Sequence, residues 1–112
     1  MRNTDERTMP YFSIPVEQLE AEEGYASMTG SDKGLFLRLL LILWRNNGLL
    51  PDYSKLIARQ LGVTEQEWQR LRGLFLERGL LSVSPDEVYL LNQGLRQQYL
   101  NTLQANNSRR HV

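Results

Sequence analysis

Leu56–Phe75 reads LIARQLGVTEQEWQRLRGLF, and the fold turns on how this stretch divides. Apolar residues recur at helical spacing up to Leu61, and Gly62 supplies a stop signal. Thr64 and Glu67 then stand at capping-box spacing, T-x-x-E, ahead of a new apolar stripe made by Trp68, Leu71, Leu74 and Phe75. Only Gly62 and Val63 separate the two periodic segments. Helices joined so closely must turn sharply, which is helix-turn-helix spacing. The first of the pair follows Asp52 and is expected to be about nine residues long; the second opens at Thr64, runs to Arg78 and stops at Gly79.

Upstream, SDKGLFLRLLLILWRNNG predicts a helix from Ser31 to Asn46. Ser31 is the expected N-cap, Asp32 favours the first turn, and Asn47-Gly48 marks the stop. Phe36, Leu39, Leu40, Leu43 and Trp44 form its core stripe. Leu37, Leu41 and Ile42 widen the apolar surface until only Arg38 and Arg45 mark a polar seam, so this helix is expected to be central or covered by a partner. Downstream, LLSVSPDEVYLL alternates on either side of Ser84-Pro85-Asp86-Glu87 and predicts a hairpin closed by a type I turn. NQGLRQQYLNTLQ predicts a last helix that Asn92 can cap. Ahead of all these, YFSIPVEQL suits a short edge strand or an extended segment because of Pro15, and EQLEAEEGY one or two helical turns ended by Gly24.

Three helices followed by a two-stranded hairpin is winged-helix order. The expected fold is therefore mainly α with a small β-hairpin, a helix-turn-helix plus wing, with an extra C-terminal helix. A single domain is expected over residues 11–104, between flexible tails at 1–10 and 105–112. With 112 residues and 41% hydrophobic content, the chain can bury one modest core and not two. It has no cysteine to staple a fold or bind metal as thiolate. The start MRNTDERTMP lacks the apolar segment of a signal peptide. The longest apolar run, LFLRLLLILW, contains Arg38 and falls short of the roughly 20 residues a spanning helix needs. A cytoplasmic protein without a membrane partner is expected.

Catalytic constellations are missing from the sequence. His111 is the only histidine, which removes Ser-His and Cys-His nucleophilic schemes and two-histidine metal sites. Neither Gly30 nor Gly34 sits in a phosphate-cradling strand-to-helix loop. Glu20, Glu22 and Glu23 read as a solvated acidic surface, with nothing nearby to raise a carboxylate pKa. A non-enzyme is expected, with no cofactor, no metal and no small-molecule substrate.

Net charge is zero, but it is unevenly spread. Residues 1–34 carry three basic against seven acidic groups, net −4, and residues 35–112 carry ten against six, net +4. The outward face of the third helix holds Gln66, Gln69, Gly73 and Glu77, with Arg70 and Arg72 on its flanks; Glu65 and Glu77 would repel phosphate. Glutamine can pair bidentately with adenine and arginine with guanine in a major groove. Lys55 and Arg59 on the preceding helix are candidates for phosphate contacts. This set, Gln66, Gln69, Arg70, Arg72, Lys55 and Arg59, makes duplex DNA the expected partner. The same face could equally serve a non-catalytic adaptor that binds a replication or host protein. Leu41, Ile42 and Leu76 lack an obvious intrachain partner on the helical wheel, so they are expected to be covered by the N-terminal segment, by the last helix or by another subunit, the last making them a candidate protein interface, a homodimer included. Asp86 and Glu87 make the wing tip acidic, which keeps it off phosphates.

Five motifs in register carry a family resemblance: G-x-F-x-R-L-L at Gly34–Leu40, W-R-N-x-G at Trp44–Gly48, L-P-D at Leu50–Asp52, L-x-A-R-x-L-G at Leu56–Gly62, and E-W-x-x-L at Glu67–Leu71. Over Ser31–Phe75 the chain resembles the YdaU-like domain of unknown function, found in phage and prophage proteins and often amino-terminal in replication proteins. The resemblance implies a winged-helix-like module of mobile-element DNA replication or its regulation, acting in the cytoplasm of a bacterial host. The N-terminal part departs from the family pattern, agreeing only through Tyr11-Phe12.

Overall fold

The central helices end where the backbone can reverse. In the computed structural model, which describes residues 11–110, α1 spans Val16–Ala21, α2 Glu23–Ala26, α3 Gly30–Arg45, β1 Leu50–Pro51, α4 Ser54–Leu61, α5 Glu65–Glu77, β2 Ser82–Val83, β3 Tyr89–Leu91 and α6 Gln93–Arg110. After α3, α4 and α5 the chain enters the left-handed region at Asn47 (φ 61°), Gly62 (φ 81°) and Gly79 (φ 74°). Each turn has the paired bonds of a Schellman motif: Gly48 N–H to Leu43 O (2.8 Å), Val63 N–H to Ala58 O (3.0 Å) and Leu80 N–H to Phe75 O (2.9 Å) close the wider loops. Satisfying the last carbonyls this way lets each helix stop abruptly and hand the chain to the next element. The expected N-terminal tail, residues 1–10, lies outside the described residues, as do His111 and Val112.

The caps follow side-chain chemistry with one shift. Thr64 Oγ1 accepts from Glu67 N–H at 3.0 Å and opens α5 as its spacing predicts. α3 is capped by Thr29, which accepts from Asp32 N–H at 3.1 Å, two residues before the expected Ser31. Ser31 thereby joins the first turn, and α3 ends at Arg45 with Asn46 as its C-cap. α4 begins at Ser54, with Tyr53 at the N-cap making no side-chain cap bond. Asp52 is engaged elsewhere, which leaves α4 at eight residues.

The sheet has three antiparallel strands in the order β1-β3-β2, one more than the expected hairpin. Leu50 pairs with Leu90 and Pro51 with Tyr89; Ser82 pairs with Leu91 and Val83 with Leu90. Pro51, which cannot donate to a ladder, sits on an edge strand. Leu50 and Leu90 face the core, whose fully buried members include Trp68, Phe36, Phe75, Leu39, Leu43, Ile57 and Leu71. Phe36 meets Phe75 edge-on with centroids 5.3 Å apart, locking α3 to α5. The turn between β2 and β3 is closed by Glu87 N–H to Ser84 O at 2.8 Å.

Two further elements cover α3. α6 lays Tyr99 edge-on against Trp44 (5.9 Å) and Arg96 donates to Asn47 O at 2.6 Å. A side chain at Gly48 would put its Cβ 3.2 Å from Arg96 Cα, so this close approach depends on glycine as well as on its φ of 84°. The segment 11–15 is extended and then turns into α1 at Val16, where the sequence suggested an edge strand or an extended segment. Phe12 stacks on Trp44 at 5.3 Å, and Ser13 exchanges two hydrogen bonds with the Gln98 side chain. Gly24 does not end a helix; the break falls at Glu22, and Gly24 lies within α2. α6 also continues to Arg110, through residues expected as the start of a tail: the helix is already formed, and propagating it costs less than starting one.

This packing decides among the covers expected for Leu41, Ile42 and Leu76 and takes one of them out of the candidate protein interface. Ile42 is 7% exposed and belongs to the core, so it cannot meet a partner. Leu76 is half-buried and packs against the same core. Leu41 alone of the three stands out, at 53% exposure. α3 is buried on more sides than the two-face pattern of an amphipathic helix allows, because the N-terminal strap and α6 close over it.

Candidate nucleic-acid interface

The surface to be weighed is built by α4 and α5 and the three residues, Gly62, Val63 and Thr64, between them. Ile57, Ala58 and Leu61 bury one side of α4. The remaining side presents Lys55, Leu56, Arg59 and Gln60, all exposed, and α4 carries no acidic residue. Among the described residues neither Lys55 nor Arg59 forms an ion pair. On α5, Trp68, Leu71 and Phe75 face inward, leaving Gln66, Gln69, Arg70 and Gly73 exposed and Arg72 half-buried.

The six residues singled out from sequence therefore share one region, but they divide into two groups. Gln69 Nε2 donates to Ser54 Oγ at 2.6 Å, tying the middle of α5 to the first turn of α4. Arg72 forms a fork on Asp52, with Nε to Oδ1 at 3.1 Å and Nη2 to Oδ2 at 2.5 Å. Arg70 bridges two helices: Nη2 reaches Asp32 Oδ1 at 2.8 Å on α3, and Nε and Nη2 reach the Glu67 carboxylate at 2.9 and 2.8 Å. Gln66, Lys55 and Arg59 have no such intrachain engagement among the described residues. Direct base reading by Gln69, Arg70 or Arg72 would require each to exchange a partner it already holds.

Charge states follow these contacts. Hydrogen bonding to Arg70 holds the Asp32 carboxyl below the usual range, with burial opposing it. The same guanidinium lowers Glu67. Asp52 raises Arg72 further above its already high value. At the β2–β3 turn, the Ser84 hydroxyl and Val88 N–H donate to Asp86 Oδ1, and the Ser84 bond lowers the Asp86 pKa most. Asp86 thus stays anionic, its carboxylate held within its own turn.

Sequence reasoning missed two features here. The ion pairs Asp32–Arg70 and Asp52–Arg72 join residues 38 and 20 positions apart, and no local pattern marks them. The other is Tyr53, which is 63% exposed at the start of α4. Leu56 on α4 is 42% exposed and Val88 43%, and Val88 O accepts from Asp52 N–H, next to Tyr53, at 3.0 Å. Elsewhere, a cavity of about 420 Å³ lies under the N-terminal strap, lined by Phe12, Leu19, Leu40, Leu80 and Leu95 among others, and it includes none of the six candidate residues. No group of three or more His, Asp or Glu side chains is placed to hold a metal ion among the described residues, and no helix there is long and apolar enough to cross a membrane.

The chain is thus mainly helical with a small antiparallel sheet. No family model matches it, and no significant match appears among the curated proteins or the solved structures.

Proposed function

We propose that this chain is a winged-helix module that binds DNA, in phage-type or prophage-type replication or its regulation. The observation that carries this reading is the pair of unpaired cations, Lys55 and Arg59, on the outward side of α4, one tight turn from the exposed Gln66 on α5. Supporting it, β1 lies between α3 and α4 in the chain and pairs with β3 in a β1-β3-β2 sheet, the strand arrangement of a winged helix. The five motifs shared with YdaU-like domains supply the replication context. In this account Lys55 and Arg59 hold phosphates and Gln66 reaches a base edge. Gln69, Arg70 and Arg72 set the position of α5, and they contact DNA only by leaving Ser54, Asp32 and Asp52.

The test is titration of labelled DNA at two salt concentrations. Affinity is expected to fall with salt, and Lys55→Ala or Arg59→Ala to lower the slope by about one each. Absence of binding at low salt and micromolar protein would contradict the reading. The alternative, a protein-binding adaptor, draws on the exposed Leu41 between Arg38 and Arg45 on α3; loss of a partner protein on Leu41→Asp with DNA affinity unchanged would favour it.

A further inference from the structure

We propose that the start of α4 is a platform for single-stranded nucleic acid, on which Tyr53 stacks an unpaired base while Lys55 and Arg59 hold the adjoining phosphates. This rests on the DNA-binding reading and names the strand state it serves.

The Tyr53 ring is exposed while its backbone is pinned. Tyr53 N–H donates to Pro51 O at 2.8 Å, and its carbonyl accepts from Ile57 N–H at 3.0 Å. The preceding residue is held twice, by Asp52 N–H on Val88 O and by the Asp52 carboxylate on Arg72. An aromatic on so fixed a base gives up little backbone freedom when it stacks. One exposed tyrosine is ordinary; here Leu56, one turn along α4, and Val88, whose carbonyl holds Asp52 N–H, are exposed as well, and α4 carries the exposed cations Lys55 and Arg59. The nearest acid along the chain, Asp52, is paired with Arg72, while Glu87, next to Val88, is exposed at the outer edge.

An exposed aromatic at the start of a helix that carries unpaired cations suits a strand that offers base faces and phosphates together. A duplex hides its base faces and offers edges, and three of the four α5 side chains chemically able to read edges are already bonded to Ser54, Asp32 and Asp52. The chemistry that is free at this surface is stacking and phosphate contact.

The experiment is fluorescence anisotropy of the full chain with labelled oligothymidine and with a labelled mixed-sequence duplex of equal length, each at two salt concentrations. Oligothymidine is expected to bind more tightly. Tyr53→Ala should weaken it roughly ten- to hundred-fold without changing the salt slope, and Tyr53→Phe should keep it. Lys55→Ala should instead lower the slope by about one. Because Tyr53 is exposed, an unchanged thermal melt separates these losses from unfolding. Preference for the duplex, or wild-type affinity in Tyr53→Ala, overturns the platform and leaves DNA binding standing. Failure of both nucleic acids to bind at low salt removes the DNA reading itself.

Discussion

Arg70 and Arg72 have the chemistry to read guanine, yet at rest they act as fasteners. Arg70 holds α5 to Asp32 at the start of α3, and Arg72 holds it to Asp52 at the end of β1. Asp32 is buried, and Arg70 is half exposed, so solvent screens part of the pair. Asp32→Asn should cost about 1 kcal/mol in urea unfolding, below the value for a fully buried charged hydrogen bond. The pH dependence has a definite sign. A carboxyl whose folded pKa is depressed contributes stability above its unfolded pKa of about 3.9, and that contribution is lost as pH falls through the lower folded value. Wild type should therefore lose stability below about pH 4 more steeply than Asp32→Asn, with Glu67 and Asp86 keeping some acid dependence in the variant. Equal pH profiles would show that the Asp32 pair contributes nothing. A second contrast lies in two glycines. At Gly73 a Cβ meets nothing within 4 Å, so Gly73→Ala should raise stability by about 1 kcal/mol through helix propensity. At Gly48, with positive φ and Arg96 against it, alanine should destabilise by more than that. Thermal melts that move the two variants in the same direction would contradict this.

At the scale of elements, α3 shows how neighbours decide what a sequence pattern leaves open. Leu40 and Leu41 are adjacent leucines in one apolar run, but Leu40 is 6% exposed and Leu41 53%. Leu40→Ala should cost roughly 2–5 kcal/mol through lost transfer energy and a residual cavity. Leu41→Ala should fall within about 0.5 kcal/mol of wild type, as an exposed position does. Similar losses at both would mean that Leu41 is covered in solution, for instance by a second copy. What was legible in the sequence was local chemistry. Thr64 with Glu67, Asn92 ahead of Leu95, and the stops at Asn47, Gly62 and Gly79 are each settled within a few residues, and the structure uses each of them. What was not legible depends on distant partners. β1 is two residues long and contains Pro51, so it has no periodicity of its own and exists because β3 offers an edge. Ile42 looked unpartnered because a helical wheel shows no strap or second helix. Tyr53 stands outside at the turn from β1 into α4, and no local pattern marks that exposure.

At the scale of the whole molecule, the described residues form a mainly helical unit backed by a small antiparallel sheet, with α6 and the N-terminal strap closing over α3. The uneven charge of the sequence acquires a location: among the described residues, acidic Glu17, Glu20, Glu22 and Glu23 lie on α1, α2 and their junction, while α4 carries only cations. Such a division orients the molecule in the field of a polyanion even at zero net charge. Higher salt should accordingly weaken any nucleic-acid complex without lowering the melting temperature of the free chain by a comparable amount. The central claim, that the α4–α5 face meets DNA, is tested most directly by mapping backbone amide chemical shifts as DNA is added to the folded chain. The account predicts perturbations concentrated on Tyr53–Arg59 and around Gln66, fading as salt is raised. Perturbations confined to the exposed side of α3 about Leu41, or none at all at low salt, would contradict it.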